Sequence, residues 1–232
     1  MDHATRTETA FLEEDVRFAE GRSFYKMALI FIIGCLVGTW YEEILHYVRH
    51  GFYESRSGVL YGPFNPVYGA GYLLMLLFLS RFSRWYVVIA AGAVLGGAFE
   101  YLLSLGQEFF TGQISWNYHG RFLNIHGRTT VPYMLFWGIL GYVMVKIVYP
   151  VLSDIIEKIP PRMGRIVTLT LFWFLVVNMA VSYTALLRQG MRHRGIEPLK
   201  PIGEFYDRVY DDERIYRSFP DMEPADDMDG GD

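Results

Sequence analysis

The sequence has one cysteine, no excess of basic residues and, over its central 164 residues, little charge of either sign. Each shortage excludes something. Cys35 stands alone in an apolar run, so the chain forms no internal disulfide and no zinc site built from cysteines. The formal net charge is −4, so no global basic field draws nucleic acid. Of the 46 charged residues, 28 fall in residues 1–22 and 187–232, which leaves 18 for the 164 residues between. That is well under the ~25% of a soluble domain. Such a stretch cannot give a globule a wetted surface, so an ordinary cytosolic enzyme, a nucleic-acid binder and a disordered chain are all excluded. What is there is apolar and aromatic, 52% and 17% of the residues. It reads as a helical bundle whose solvent is lipid.

The apolar runs set the expected architecture: all-α, an integral membrane bundle of about five transmembrane helices. The expected spans are residues 25–48, 64–82, 85–110, 131–152 and 165–187. The second is short for a crossing and begins among prolines and glycines, so it is expected to be short or partly re-entrant. Residues 1–24 form a polar lead-in, with a short helix expected over Glu13 to Glu20 and no cleavable signal peptide visible. Residues 25–187 form the membrane domain. Residues 188–232 form a polar tail, acidic and disordered at its end. No repeat of useful length is apparent. The positive-inside rule does not orient the bundle, because the two sides carry eight basic residues each.

Charges inside the apolar region are the informative residues, because a charge near the bilayer centre costs at least ~2.5–3.5 kcal/mol. On the third run Gly92, Gly96, Glu100, Ser104 and Glu108 recur every fourth residue and share one helix face. The glycines admit a close neighbour, and further along the same face turns acidic. On the first run Glu42, His46 and Arg49 share a face. Two irregular loops follow these helices. The first holds Arg56, Tyr61 and Tyr68 amid Pro63, Pro66 and three glycines, a backbone that must lie against protein or water. It leads into a helix N-terminus, which favours an anion. The second holds Trp116, Tyr118, Asn124 and Arg128. Arg56 and Arg128 are expected to approach Glu42, Glu100 and Glu108, since guanidinium suits two-pronged carboxylate pairing. No metal and no cofactor are expected. His46, His50, His119 and His126 form the alternative ligand set, without a specific metal-binding spacing.

Several ordered motifs go further. They are Gly38 with Glu42, the run Arg56, Gly58, Tyr61, Gly62, Pro63, Pro66, Tyr68 and Gly69, the set Glu100, Tyr101, Ser104 and Glu108, the set Trp116, Tyr118, Asn124, Gly127 and Arg128, and Trp137 with Gly138. Together they resemble the bacterial family of ABC-transporter permeases of the CmpB type, over about residues 28–152. The resemblance implies a multispanning membrane protein with a transport association. Where that family has Trp-Asp-Tyr-Ser, this chain has Trp116, Asn117, Tyr118 and His119, so one carboxylate is absent. Where Asn-Arg-Gly is usual, Ser55, Arg56, Ser57 and Gly58 shift the glycine.

The leading expectation is a permease-like protein, or a small-solute-binding transport component, of the cell membrane. Its pocket is Glu42, Arg56, Tyr61, Tyr68, Glu100, Ser104, Glu108, Trp116, Tyr118, Asn124 and Arg128. The chain has no GxxxxGK[ST] segment, so active transport needs a separate ATPase subunit. Another membrane subunit or a second copy of the chain are further expected partners, along with the bilayer. Two alternatives stand beside this reading. One is an intramembrane enzyme using the Glu/His cluster. The other is an accessory or scaffold subunit, whose aromatic tail (Phe205, Tyr206, Tyr210, Tyr216 and Phe219) folds along a partner or a second copy.

Overall fold

The computed structural model describes residues 18–224. Most of the helix expected over Glu13–Glu20, and the acidic end of the tail from residue 225, lie outside the described residues. The order is α1 (Phe24–His50), α2 (Pro66–Leu79), α3 (Trp85–Thr111), β1 (Gln113–Ile114), β2 (Asn124–Ile125), β3 (Thr129–Thr130), α4 (Val131–Glu157), α5 (Pro161–His193), α6 (Ile202–Val209), α7 (Asp212–Ser218) and β4 (Glu223–Pro224). Four helices, α1, α3, α4 and α5, are long and apolar enough to cross a membrane; α2 is apolar but short. At 1.5 Å per residue its 14 residues reach ~21 Å, against ~30 Å of hydrocarbon.

Local chemistry sets the boundaries. The Ser23 hydroxyl caps α1 by accepting from the Lys26 N–H, and Gly51 ends it at φ 79°. Asn65 caps α2 and accepts from the Val67 N–H at 3.1 Å, with Pro66 in the first turn. Thr130 caps α4 and accepts from the Tyr133 N–H at 3.2 Å. Within α4 a π-helical stretch, Met144–Val148, precedes Pro150. Pro150 offers no N–H and crowds the preceding turn, and the wider turn accommodates it. The helix therefore runs on to Glu157, five residues past the expected end.

Contacts define two ends of the bundle. At one end Arg22 donates to the Ser80 hydroxyl at 2.6 Å, Lys146 donates to the Phe82 carbonyl, and buried Lys26 meets Ser153 and Glu157. At the other end lie the two irregular loops and the segment after α5. Helix α2 does not start at that second end. The Asn65 N–H donates to the Cys35 carbonyl at 3.1 Å, level with the middle of α1. The loop 51–65 thus descends into the bundle, and α2 carries the chain from mid-depth to the first end. The chain enters and leaves the bundle at opposite ends.

Helix α4 repeats the device. The hydroxyl of Thr129, just before it, donates to Glu100, well inside α3. The two halves also match in sequence. Gly34, Gly38, Glu42 and His46 on α1 align with Gly92, Gly96, Glu100 and Ser104 on α3, 58 residues apart. Each half then has a loop, a capping residue, a proline and a tyrosine three residues past the cap (Tyr68 and Tyr133). Gly34 packs on Gly69, and Gly92 on Gly138, so tightly that a Cβ would press on the facing backbone. The expectation of no repeat is therefore corrected. The halves share a spacing of small and acidic residues rather than a run of identical letters.

The core lies mainly between α1, α2 and the inner faces of α3 and α4, around Ile30, Leu76, Leu79 and Val88. A second cluster joins α5 to the C-terminal segment through Leu186, Tyr210, Ile215 and Phe219. The tail expected from residue 188 is folded over its described part. Helix α5 continues to His193, Arg188 and Arg192 bind Asp207 at 2.8 Å, and β4 pairs antiparallel with β1.

Candidate functional site

A cavity of about 1460 Å³ lies between the five bundle helices, below the two loops and the C-terminal segment. Its polar groups come from matching places in the two halves. In the first, the Tyr68 hydroxyl donates to Glu42 Oε1. In the second, the Tyr118 hydroxyl donates to Glu100 Oε1 at 2.9 Å and the Thr129 hydroxyl to Oε2 at 2.6 Å. The Trp137 Nε1 is buried beside the same carboxylate without closing a hydrogen bond to it. The Tyr118 ring stacks on Tyr133 at 4.9 Å. Burial, then the neighbouring Glu100 carboxylate, push the Tyr118 phenol well above its ordinary value, so it remains a donor.

Each carboxylate is met by a side chain at the start of a helix that begins inside the bundle, near the positive end of its dipole. That placement supplies up to ~2 kcal/mol for an anion. It falls short of the ~2.5–3.5 kcal/mol that a charge costs at mid-bilayer. Hydroxyl donors offset part of the difference. No cationic side chain forms an ion pair with Glu42 or Glu100 among the described residues.

One of the expected arginine–carboxylate pairs forms, between Arg128 and Glu108. Arg128, 9% exposed, donates to the Ser104 hydroxyl at 3.1 Å and pairs with Glu108. These three groups lie behind the cavity wall, where the Trp116 indole also fixes the Arg128 carbonyl at 2.9 Å. Arg56 lines the cavity but pairs with Glu54 at 2.7 Å and with Asp221, and it touches His46. Arg56 thus forms no ion pair with Glu42, Glu100 or Glu108, although it lies near enough to Glu42 to act on it through space. Glu54 is two residues away on the same loop, and Asp221 is brought over by the β1–β4 pairing.

Two further expected residues stand outside the cavity. The Tyr61 hydroxyl lies 3.0 Å from that of Tyr210, and its backbone bonds Asn178 on α5. Asn124 closes the second loop's turn, accepting from the Gly127 N–H at 3.1 Å. Of the pocket set, Glu42, Arg56, Tyr68, Glu100, Trp116 and Tyr118 line the cavity, and Ser104, Glu108 and Arg128 brace it. Thr129, Tyr133, Glu54 and Asp221 were not singled out. The cap–proline–tyrosine spacing shared by the two halves is the signal for Tyr133, and Thr129 directly precedes that cap.

The histidines separate into two places. His46 and His50 stack at 4.3 Å near Glu54, and His126 bonds the Tyr101 hydroxyl at 2.9 Å. Among the described residues no three His, Cys, Asp or Glu side chains are grouped as metal ligands. The C-terminal aromatics Tyr206, Tyr210 and Phe219 pack on this chain's own α5.

A family model described as "Putative ABC-transporter type IV" matches residues 29–183, from α1 into α5. The chain belongs to that family. The matched range contains both helix–loop–helix halves and every cavity residue named above except Asp221. No curated protein and no solved structure matches the chain. Membership of the ABC-transporter type IV family, with four helices long enough to span, makes this a multi-pass membrane protein of a transport-related family.

Proposed function

We propose that this protein is a permease-like transport component of the cell membrane that binds a small solute in the cavity between its two halves. The observation that supports it is the pair of interior carboxylates, Glu42 on α1 and Glu100 on α3, facing one roomy cavity beside the starts of α2 and α4. Broken helices whose ends meet at mid-depth are a recurring way to build a transport site. In this reading residues 25–187 are the membrane domain. The loop 51–65 and α2 together make the second of five crossings, and the C-terminal segment covers the cavity at the loop end. Since the sequence carries no phosphate-binding loop of its own, an ATP-driven cycle draws on a separate ATPase subunit.

The test is retention. Purified protein in lipid nanodiscs is equilibrated with a metabolite extract, washed, and stripped for mass spectrometry. The expected result is at least one solute held by wild type and released by Tyr118→Phe, which keeps the ring and removes the donor to Glu100. Nothing held, or the same solutes held by both proteins, would remove the reading.

A further inference from the structure

We infer that the ligand of this cavity is an amphiphilic organic cation, an amine or quaternary ammonium with an apolar body, admitted from the lipid side. The inference rests on the solute-binding reading above and assigns its chemical class.

Charge is the first argument. Glu42 and Glu100 both line the cavity and are met by hydroxyls rather than by cations. The nearby arginines are already matched: Arg128 by Glu108, and Arg56 by Glu54 and Asp221. Arg49 and Arg121 also line the cavity, but both are exposed, toward the loop end. Glu100 has no cation acting on it and Glu42 is reached only through space by Arg56, so a ligand cation supplies a charge that the protein does not place against these carboxylates.

The second argument is the lining. Tyr68, Phe99, Tyr118 and Tyr133 line the cavity, with the Tyr68 and Tyr118 hydroxyls on the carboxylates, and aromatic faces attract ammonium groups through their quadrupoles. Unlike a metal or sodium site, this wall offers rings rather than a cage of converging carbonyl oxygens.

Access is the third. Val37, Leu102 and Phe136 lie well within α1, α3 and α4. They line the cavity, yet are 49%, 64% and 43% exposed. The cavity therefore opens sideways through residues that face lipid. Its volume also exceeds the ~300–1,000 Å³ of an ordinary small-molecule pocket, which leaves room for an apolar body behind the charged head.

The experiment is equilibrium binding of radiolabelled tetraphenylphosphonium to the full-length protein in nanodiscs, with empty nanodiscs as the background. Saturable binding is expected, displaced by dodecyltrimethylammonium. Affinity should fall at least tenfold in Glu100→Gln and further in the double variant with Glu42→Gln. Glu100→Asp, which keeps the charge, should retain more than half of the binding, separating charge from folding. Tetraphenylborate, the anion of the same shape, should show no saturable binding. Absence of saturable tetraphenylphosphonium binding, equal affinity in wild type and the double glutamine variant, or equal binding of tetraphenylborate would each overturn the assignment. If the cation fails while the metabolite extract still yields a retained solute, only the chemical class falls. If both fail, the solute-binding reading falls with it.

Discussion

The two helix–loop–helix halves share a face and differ in what holds their loops. In the second half the ties that hold the arginine and the carboxylate are internal, although β1 at the loop's start pairs with β4. Arg128 pairs with Glu108 and Ser104, the loop closes on itself through β2 and β3, and Thr129 and Tyr118 both serve Glu100. In the first half Glu42 has one hydroxyl donor, and the loop's arginine reaches out to Asp221 of the C-terminal segment. The arginine and carboxylate of the second half are thus held by its own residues, whereas the arginine of the first is shared with a segment more than 150 residues away. The difference teaches that one wall of the cavity is braced and the other is adjustable.

Substitutions sharpen that contrast, and the largest effect belongs to the braced half. Arg128→Leu leaves Glu108 without its partner. Breaking a fully buried pair costs ~3–5 kcal/mol; with Glu108 34% exposed, we expect about 2–3 kcal/mol. Thermal unfolding in detergent should show it, and Arg128→Leu with Glu108→Leu should recover part of the loss. Thr129→Val removes one of two hydroxyl donors from a buried carboxylate and should cost about 1–3 kcal/mol. A melting temperature equal to wild type would mean that Glu100 does not depend on that hydroxyl.

The adjustable half should behave differently. Arg56→Leu should lower global stability by less than ~1 kcal/mol, because Asp221 is 43% exposed and such pairs are weak. Its effect should appear as faster hydrogen exchange at Gln113 and Ile114, where β4 pairs. A global loss as large as that of Arg128→Leu would erase the contrast between the halves.

The smallest effect is a pH dependence at the base of the C-terminal segment. Asp207 is held below its usual value chiefly by its hydrogen bond to Arg188. A lowered folded-state pKa means that the contribution is complete above the unfolded value of ~3.9. It drains as the pH falls through the folded value. Acid should therefore loosen this segment before the bundle, and Asp207→Asn should remove that acid-sensitive step.

Much of the fold was legible because hydropathy reports burial in lipid directly. The starts of α1, α3 and α4 fall within a residue of the expected positions. The acidic face of α3 was legible too, since four-residue spacing needs no tertiary information. The depth at which α2 and α4 begin was not. It depends on a loop N–H finding the Cys35 carbonyl and on Thr129 finding Glu100, contacts between distant parts of the chain. The partners of Arg56 were hidden for the same reason in the case of Asp221. Glu54 carries no mark in the sequence, because a partly exposed carboxylate on a loop bears little burial cost. The repeat was masked by the one-turn difference between the halves: Gly34 meets the fifth residue counted from the Asn65 cap, whereas Gly92 meets the ninth from Thr130.

The most direct test of a solute-accessible cavity is thiol labelling in a Cys35→Ser background. Phe99→Cys places a thiol on the cavity wall, and Leu95→Cys, one turn away, places one against the packed core. The account predicts that a small water-soluble methanethiosulfonate reagent modifies the cysteine at 99 and spares the one at 95 in folded protein. Equal protection of both positions would contradict it.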